Sequence, residues 1–436
     1  MNLLVTNTRA AQAYSVIQAL RPYANKIVAT IYGSNFLAAW LSSHAAHSRF
    51  VDKYYHAPSF AGDWTRGKIT KENTPKEQAY IDEVSRICKT EQIDTIFPSW
   101  DAQIFVFSKN KRHFETLGVF IPIPDYEAWV TVLDKYRALR MAEEAGFPCP
   151  RTYLPHSFDD VSMIAKKIKF PVTVKPRFVS WGTEIATNSS ELLEKTSNIT
   201  RSYGTPIIQE FMPSCLRQDL HFLIDKGGEL KLAFHRKVER SLRLDLHAHM
   251  STVNELTGFQ PFHAQTMAFL ENLRKCGWWG SGIIETAGDP HDGKVKFMEL
   301  VPRFRRQLWN STELGINEPQ MCISIAQGEP VQAVKSYPAG TLFLSPIEDA
   351  LVLLFQILDL LVYHCRRILG LTTVDPQSLP LPLKEITRSF TRSYCSKRPK
   401  IMDPYFRYFF RDPLVSVLWW LQLYFWIIKL ARRLGR

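Results

Sequence analysis

The sequence predicts an α/β protein with a helical C-terminal segment, and three observations support this fold class. Near the N-terminus, apolar strand-like runs alternate with segments of helical spacing. In the middle of the chain, strand-like runs are joined by the turns DKGGE and GDPHDG, which are typical of antiparallel hairpins. Towards the C-terminus, the sixteen residues from Pro413 to Ile428 carry no charge.

Residues 1–125 are predicted to form a Rossmann-like domain. Strands are expected at 2–6, 26–31, 94–98 and 120–124, and helices at 10–20, 79–90 and 107–117. This alternation favours a parallel sheet with crossover helices. The turn after the first strand, TNTRAAQA, lacks the GxGxxG pattern, so a dinucleotide fingerprint is absent.

Residues 126–335 are predicted to form a second unit of mixed strands and helices. Its helices are expected at 134–146, 189–202 and 262–276. Its strands are expected at 170–175, 206–212, 221–224, 230–235, 282–285 and 295–300. The remaining segment, 336–436, is predicted to be a helical tail with helices at 349–365 and 413–428.

Charge is concentrated in the last part of the chain. The 436 residues carry a net charge of +12, from 54 basic and 42 acidic side chains. Residues 361–436 contain 14 Lys or Arg and 4 Asp or Glu, a net of +10, which leaves +2 for the other 360 residues. A nearly neutral body argues against a nucleic-acid-binding protein.

Cysteine use and the N-terminus indicate a cytoplasmic protein. The seven cysteines are widely spaced and form no CxxC pair, so neither a disulfide framework nor a zinc site is predicted. The N-terminal residues lack the basic region and long apolar core of a secretory signal.

One group of charged residues suggests phosphate chemistry. Glu285 and Glu299 lie fourteen residues apart on two predicted strands of one hairpin, so their carboxylates can face each other. Such a pair of hard oxygen ligands suits Mg²⁺, which commonly bridges nucleotide phosphates. Lys175 ends an earlier strand and could neutralise those phosphates, while Arg303 could stabilise transferred charge. Each of these residues alone would more often be an ordinary surface group.

The same residues lie in motifs that resemble the ATP-grasp ligase family. The motifs are DKYRALRMAEEAGFPCP, FPVTVKP, IIQEFMP and GIIETAGDPHDGKVKFMELVPRF. The resemblance extends over roughly residues 1–330, with 1–125 similar to the pre-ATP-grasp domain and 126–335 to the two-subdomain ATP-grasp domain. It implies an enzyme that activates a carboxylate as an acyl-phosphate for attack by an amine or a thiol, with small-molecule substrates and no nucleic acid.

The resemblance also implies individual roles. Lys135 and Lys175 would contact ATP phosphates, and Asp219 would accept ribose hydroxyls. Glu285 and Glu299 would hold Mg²⁺, with Mn²⁺ as an alternative. Arg303, together with Lys175, would be catalytic at the acyl-phosphate. The adenine hinge would be formed by Gln209, Glu210, Phe211 and Met212.

Two departures from the family pattern open an alternative function. Val301 stands where the family usually has a metal-binding Asn, and the phosphate-covering loop Arg177–Thr183 keeps only one glycine, Gly182. The alternative is a catalytically weak nucleotide-binding protein that is recruited to membranes. A cation-rich group nearby is expected either to face a substrate carboxylate or to be a solvated strand face; it comprises Arg303, Arg305, Arg306, His235, Arg236, Lys237 and Arg240.

The tail combines apolar, aromatic and basic residues in a way that favours a membrane surface. A sixteen-residue helix is about 24 Å long, which is shorter than the ~30 Å hydrocarbon core of a bilayer. Its aromatic residues resemble an interfacial belt, and the following KLARRLGR would meet anionic headgroups. We therefore expect residues 405–436 to associate with the inner face of a membrane. The alternative is a helix packed on 349–365, within one chain or across a homodimer.

Overall fold

The computed structural model describes residues 1–33, 35–60, 69–179, 181–212, 216–243, 249–257, 263–289, 293–369 and 382–434. Three sheets organise these residues: a four-stranded parallel sheet near the N-terminus, a four-stranded antiparallel sheet and a seven-stranded mixed sheet. The predicted α/β fold class is confirmed.

The N-terminal domain is built on the parallel sheet, whose strand order is β3-β2-β1-β4. Its strands are β1 (Asn2–Thr6), β2 (Lys26–Tyr32), β3 (Lys53–Ala57) and β4 (Thr95–Pro98). Its first helices are α1 (Ala11–Leu20), α2 (Phe36–Ser42) and α3 (Pro75–Glu91). Strands β1, β2 and β4 are rich in apolar residues and almost entirely buried, as is usual for a parallel sheet covered by helices. The edge strand β3 is polar and more exposed, with only Ala57 buried.

Local signals set the ends of α3. Thr74 and Glu77 form a reciprocal capping box, and Pro75 occupies the first turn, where its missing N–H costs nothing. The helix ends at Gln92, which adopts a left-handed conformation with φ 52°.

Four helices lead from the N-terminal domain into the next unit: α4 (Asp101–Lys109), α5 (Lys111–Thr116), α6 (Tyr126–Leu133) and α7 (Lys135–Glu144). The predicted strand at 120–124 is wrong, because only an isolated bridge between Phe120 and Thr95 forms there. Pro122 and Pro124 lack the amide donors that a continuing ladder needs.

The antiparallel sheet forms a small subdomain with strand order β5-β8-β6-β7. Its elements are β5 (Thr152–Tyr153), α8 (Phe158–Ala165), β6 (Val172–Lys175), β7 (Glu184–Ala186), α9 (Ser189–Tyr203) and β8 (Ile207–Glu210). Val172, Val174 and Ile208 point to the helices and pack on Leu192 and Ile199 in one core.

The seven-stranded sheet forms the larger subdomain, in the order β13-β12-β9-β10-β11-β14-β15. Its first strands are β9 (Leu216–Ile224), β10 (Leu230–Arg243), β11 (His249–Thr257), β12 (Gly280–Gly288) and β13 (Val295–Val301). Helix α10 (His263–Lys275) packs on α7, and α11 (Trp309–Glu313) and α12 (Glu318–Gln327) follow.

Two strands of the C-terminal segment, which was predicted to begin at residue 336 as a separate helical tail, belong to the large sheet. Its elements are β14 (Leu342–Leu344), α13 (Pro346–Ile368), α14 (Leu383–Tyr394), β15 (Lys400–Met402), α15 (Pro404–Arg407) and α16 (Pro413–Leu434). Strand β14 pairs with β11, and β15 pairs with β14, so both extend the large sheet. Hydrogen bonds from Arg240 to Asp349 (2.6 Å) attach α13 to β10.

Helix α16 packs on the N-terminal domain, where Val415 shares a core with Leu3 and Val5 of β1; Leu418 and Leu423 are also buried. It contacts α2 and the 3₁₀ turn His44–His47, and Trp419 Nε1 also donates to Glu348 of α13 (3.1 Å). The opposite face of α16 exposes Leu414, Val417, Leu421 and Tyr424. Over the ranges described, no helix combines the length and apolar character needed to cross a bilayer.

Candidate functional site

A polar cleft lies between the small antiparallel sheet and the strands β9, β12 and β13 of the large sheet. All of the residues predicted to bind nucleotide or metal line it: Lys135, Lys175, Gln209, Glu210, Phe211, Met212, Asp219, Glu285 and Glu299. Other residues complete the lining: Thr173, Thr183, Arg217, Thr286, Ala287 and Met298. The cleft therefore brings together motifs that are widely separated in the sequence.

A row of charged residues crosses four strands on the floor of this cleft. Glu299 of β13 lies opposite Glu285 of β12, which lies opposite Asp219 of β9, which lies opposite Arg236 of β10. Residues directly opposite in adjacent strands place their side chains on the same face of the sheet. The predicted hairpin geometry of Glu285 and Glu299 thus holds, and Asp219 extends it.

Arg305 covers part of this carboxylate row. One of its guanidinium nitrogens, Nη1, donates to Asp219 Oδ2, and the other, Nη2, donates to Glu285 Oε1. Asp219 also accepts from both Nε (3.1 Å) and Nη2 of Arg236. Burial alone would raise the pKa of Asp219, but the Arg305 and Arg236 guanidiniums hold that pKa below its usual range. Burial keeps the pKa of Glu285 raised even though Arg305 opposes the shift.

Lys175 approaches the row from the small sheet. It ends β6, and its Nζ donates to Gln209 Oε1 at 2.6 Å on the neighbouring strand β8. Burial lowers the pKa of Lys175 to about 8, although the carboxylate of Glu299 acts to raise it. The cleft therefore holds a lysine whose charge depends on an incoming anion or on pH.

Lys135 links the carboxylates to the loop after β6. Asp134 caps α7 by accepting from the backbone N–H of Tyr136 (3.1 Å) and so places Lys135 in the first helical turn. Lys135 Nζ lies 3.9 Å from Glu299 Oε2 and donates to the carbonyl of Val179 (2.9 Å). The same Asp134 carboxylate accepts two hydrogen bonds from Arg177, which fixes the loop at the mouth of the cleft.

The glycine-poor loop makes an aromatic contact with the N-terminal domain. The ring of Trp181 stacks on that of Trp100 with centroids 6.1 Å apart. Trp100 precedes α4, at the carboxyl end of β4, so the loop is attached to the edge of the parallel sheet.

The predicted hinge follows the end of β8. Gln209 is buried, and its amide donates to Thr152 Oγ1 (2.9 Å). Glu210 is exposed at the last position of the strand, and its backbone N–H donates to the carbonyl of Arg151 (2.8 Å). Phe211 and Met212 continue along the cleft wall as half-buried residues.

Arg303 is separated from the other predicted residues. It is not among the residues that line the polar cleft, and its Nε donates to Asp101 Oδ1 at 2.6 Å. Asp101 begins α4 of the N-terminal domain, so this ion pair connects the two halves of the body.

Three of the remaining members of the cation-rich group also bind carboxylates of the chain, whereas His235 contacts the hydroxyl of Thr257 (2.7 Å). Arg306 pairs with Glu348, Arg240 with Asp349, and Lys237 with Glu239. The group is therefore neither a solvated strand face nor a set of arginines facing an open substrate site. Its side chains join elements of the fold.

Comparison with known proteins is consistent with this geometry. Residues 134–334 match the family model described as "Carbamoyl-phosphate synthase L chain, ATP binding domain". This part of the chain is an ATP-grasp domain. The family assignment made from the motifs is thus confirmed.

Solved structures of the ATP-grasp fold resemble a larger part of the chain. A biotin carboxylase from Campylobacter jejuni, in complex with a β,γ-ATP ligand, is 16% identical with a TM-score of 0.58 over 78% of this chain and 74% of its own. The biotin carboxylase domain of 2-oxoglutarate carboxylase from Hydrogenobacter thermophilus is 17% identical with a TM-score of 0.56, over 77% and 71%. That structure is a dimer with MgADP, ADP and bicarbonate. Identities this low establish the fold alone.

The residues present suit one divalent cation better than two. Glu285 and Glu299 supply carboxylate oxygens from adjacent strands, but Val301 has no side-chain oxygen donor. Within the described ranges, no three His, Cys, Asp or Glu side chains lie close enough to form a metal cluster.

Sequence reasoning missed the charge network around Asp219. Arg305 and Arg236 were part of a cation-rich group, but their carboxylate partners could not be assigned. Arg236 lies seventeen residues and Arg305 eighty-six residues from Asp219 along the chain. For Arg236 the signal would have been the register of β9 with β10, which the sequence does not fix across a bulged hairpin. Arg305 lies in the loop after β13, where no strand register applies.

Proposed function

We propose that this chain is an ATP-dependent ligase that activates a carboxylate as an acyl-phosphate for attack by an amine or a thiol. The observation that supports this proposal is the cleft in which Glu285 and Glu299 face Lys135 and Lys175, beside the hinge that begins at Gln209. The lysines there would meet phosphate oxygens directly, and the carboxylates would meet them through a bound Mg²⁺.

In the proposed complex, adenine lies against the hinge from Gln209 to Met212 and is bound largely through backbone groups. Lys135 and Lys175 neutralise phosphate oxygens, and the negative phosphates would raise the pKa of Lys175 and so keep it protonated. Asp219 would accept ribose hydroxyls only if one of its arginine bonds opened, because its side chain is buried between Arg236 and Arg305.

Glu285 and Glu299 are proposed to hold Mg²⁺, which when bound would compensate charge on the phosphate oxygens; Mn²⁺ is an alternative. The oxygen of the substrate carboxylate attacks the γ-phosphorus, the bond to the β-phosphate oxygen breaks, and ADP leaves. The amine or thiol then attacks the acyl carbon, the bond to the phosphate oxygen breaks, and inorganic phosphate leaves with the proton that the nucleophile gives up. Arg303 would steady the acyl-phosphate if its bond to Asp101 opened towards the substrate.

The test is a screen for ADP release with pairs of carboxylates and amines or thiols. We expect Lys175→Ala and Glu299→Gln each to lower kcat by about 10²- to 10³-fold, as expected for the loss of one group that stabilises transferred charge. The surface pair Lys71 and Glu127 supplies matched controls, because both side chains are largely exposed on the N-terminal half. Lys71→Ala and Glu127→Gln should retain wild-type rates; equal losses in all four variants would contradict the proposal.

The second candidate is a catalytically weak nucleotide-binding protein at a membrane. Val301, the Arg305 bonds and the loop around Trp181 favour it. Tight nucleotide binding without ADP release for any substrate pair would support this candidate. Substrate-dependent ADP release that Lys175→Ala abolishes would exclude it.

We propose that the exposed face of α16 contacts an anionic lipid surface. Leu414, Val417, Leu421 and Tyr424 recur at helical spacing on the face opposite the packed one. The basic end of the tail supplies charge of the complementary sign.

Vesicles containing phosphatidylserine test this contact. Val417→Asp with Leu421→Asp should abolish co-sedimentation of the full chain, whereas Met163→Asp, at an exposed apolar position on α8, should not. Absence of binding by the wild-type chain would refute the contact. A homodimer, the state of one solved relative, is a further proposal that analytical ultracentrifugation decides.

A further inference from the structure

The carboxylate row contains a resident positive charge where a two-metal site would need open oxygens. Val301 lies two residues after Glu299 on β13, so it shares the face of the strand that carries the row. Its side chain cannot bind a metal. The oxygens of Glu285 and Asp219 are the remaining ligands on this side of the cleft, and each of these carboxylates already accepts a hydrogen bond from Arg305.

Arg305 is well placed to act as a fixed cation. Its guanidinium spans two carboxylates on the adjacent strands β9 and β12 and is itself largely buried. Burial alone would lower its pKa, but Asp219 and Glu285 raise it, so the side chain stays charged. A second divalent ion beside this guanidinium would meet repulsion from a like charge in a region of low dielectric constant.

We propose that Arg305 takes the place of a second divalent cation, so that the cleft holds one metal ion, bound through Glu299 and the face of Glu285 that Arg305 leaves open. This inference rests on the proposed nucleotide site. A guanidinium differs from a metal ion in two respects: it does not exchange with solvent, and it donates hydrogen bonds in a fixed fork. The negative charge of the carboxylate row is therefore partly compensated by a side chain of the protein itself, whatever the metal concentration.

The first experiment counts Mn²⁺ bound per chain by electron paramagnetic resonance, with a non-hydrolysable ATP analogue present. We expect one bound Mn²⁺ per chain for the wild type and for Val301→Asn. The double variant that combines Val301→Asn with Arg305→Met should bind two. Arg305→Lys, which keeps a cation, should retain one. The matched control is Arg306→Met, which breaks a similar buried ion pair with Glu348 outside the cleft and should also bind one.

The second experiment uses Mn²⁺ alone and the thermal midpoint, so that it does not depend on nucleotide binding. Arg305→Met leaves two carboxylates without their shared cation, and added Mn²⁺ should raise the Tm of this variant more than that of the wild type or Arg306→Met. Circular dichroism before heating establishes that each variant is folded; if Arg305→Met is not, Arg305→Gln replaces it.

The outcomes separate the inference from the function on which it rests. Two Mn²⁺ ions per nucleotide-bound wild-type chain would overturn the role of Arg305 while leaving the nucleotide site intact. Equal Mn²⁺-induced Tm shifts in Arg305→Met and wild type would overturn it as well. Failure of the wild type to bind any nucleotide analogue would refute the proposed function, and the thermal comparison would still decide the role of Arg305.

Discussion

The polar cleft and the contact between the C-terminal segment and the N-terminal domain are both largely buried and contain polar groups, but different interactions stabilise them. The cleft depends on opposite charges, with Asp219 and Glu285 held by Arg305. The C-terminal contact depends on aromatic stacking and on hydrogen bonds from uncharged donors, centred on Tyr405 and His44. Its carboxylate, Asp412, accepts from hydroxyl groups of the N-terminal domain. Paired charged side chains suit a site that binds and releases charged ligands. Stacked rings and uncharged donors suit a permanent attachment, because they bury no unpaired cation.

Tyr405 makes ring contacts and hydrogen bonds with several residues at the centre of the C-terminal contact. Its ring stacks on Trp419 with centroids 4.9 Å apart and on Tyr14 at 5.4 Å. Its hydroxyl donates to the carbonyl of Ala11 (3.1 Å), so His44 Nε2 must donate to that hydroxyl (3.0 Å). Gln422 donates to His44 Nδ1 (3.3 Å), which is consistent with a neutral ring protonated at Nε2.

Loss of the Tyr405 ring should have the largest effect on the C-terminal contact. We expect Tyr405→Ala to lower the free energy of unfolding by about 3–5 kcal/mol, because it leaves a cavity between Tyr14 and Trp419. Nucleotide affinity of the folded fraction should not change. Urea denaturation and calorimetric titration measure the two quantities, and a parallel loss of affinity would show that the two regions are coupled.

Acid should weaken the C-terminal contact before it affects cation–phosphate pairing in the cleft. Burial lowers the pKa of His44 to about 3. Between about pH 3 and its ordinary value of 6.5, the unfolded chain binds a proton that the folded chain does not, so stability falls as pH decreases. The expected slope is about 1.4 kcal/mol per pH unit. Unfolding at pH 5–7 measures it, and His44→Gln should remove this component; an unchanged slope would contradict the assignment.

Alkali should instead weaken nucleotide binding. With the pKa of Lys175 lowered to about 8 by burial, the free protein loses this charge above that pH. The dissociation constant for an ATP analogue should be constant below pH 8 and rise by up to about tenfold per pH unit above it. The cost of burying the charged lysine disappears in the same range, so stability should rise towards pH 10.5. Lys175→Arg should make the affinity profile flat, and persistence of the slope would identify another group.

The smallest expected change in the C-terminal contact is the loss of one hydrogen bond. Ser48 Oγ donates to Asp412 Oδ2 (2.6 Å), and Tyr14 donates to the same oxygen (3.2 Å). Ser48→Ala should lower stability by about 1 kcal/mol, since Asp412 keeps the hydroxyl of Tyr14 and the backbone N–H of Arg49 (3.3 Å) as donors. Chemical denaturation detects this change; a loss above about 3 kcal/mol would mean that the carboxylate depends on Ser48 alone.

Most of the candidate site could be predicted because its residues lie in motifs at strand and helix ends. Lys175 ends an apolar strand, and Glu285 and Glu299 flank a short turn, so local patterns place them correctly. The bonds of Arg305 could not be predicted in the same way. They depend on how a loop after β13 folds back over β9 and β12.

For the fold, too, local sequence patterns predict an element but not the element on which it packs. Helix α16 was predicted from its composition, and the structure places a helix at Pro413–Leu434. Its position on α2 was not among the alternatives, because an apolar stripe does not specify its partner. Strands β14 and β15 are three residues long, too short for a recognisable period of two.

The attachment of residues 403–424 also has a consequence for how the chain folds during synthesis. Tyr405 and Val415 belong to the same core as Leu3 and Val5 of the first strand, and Tyr14 contacts Asp412 across 398 residues. Because synthesis runs from the N-terminus, strand β1 leaves the ribosome before residues 403–424, so the core that they share is completed only when the later segment has emerged. Until then the apolar residues of that core are exposed, and we expect its closure to be slow because the contacts join residues far apart in the sequence.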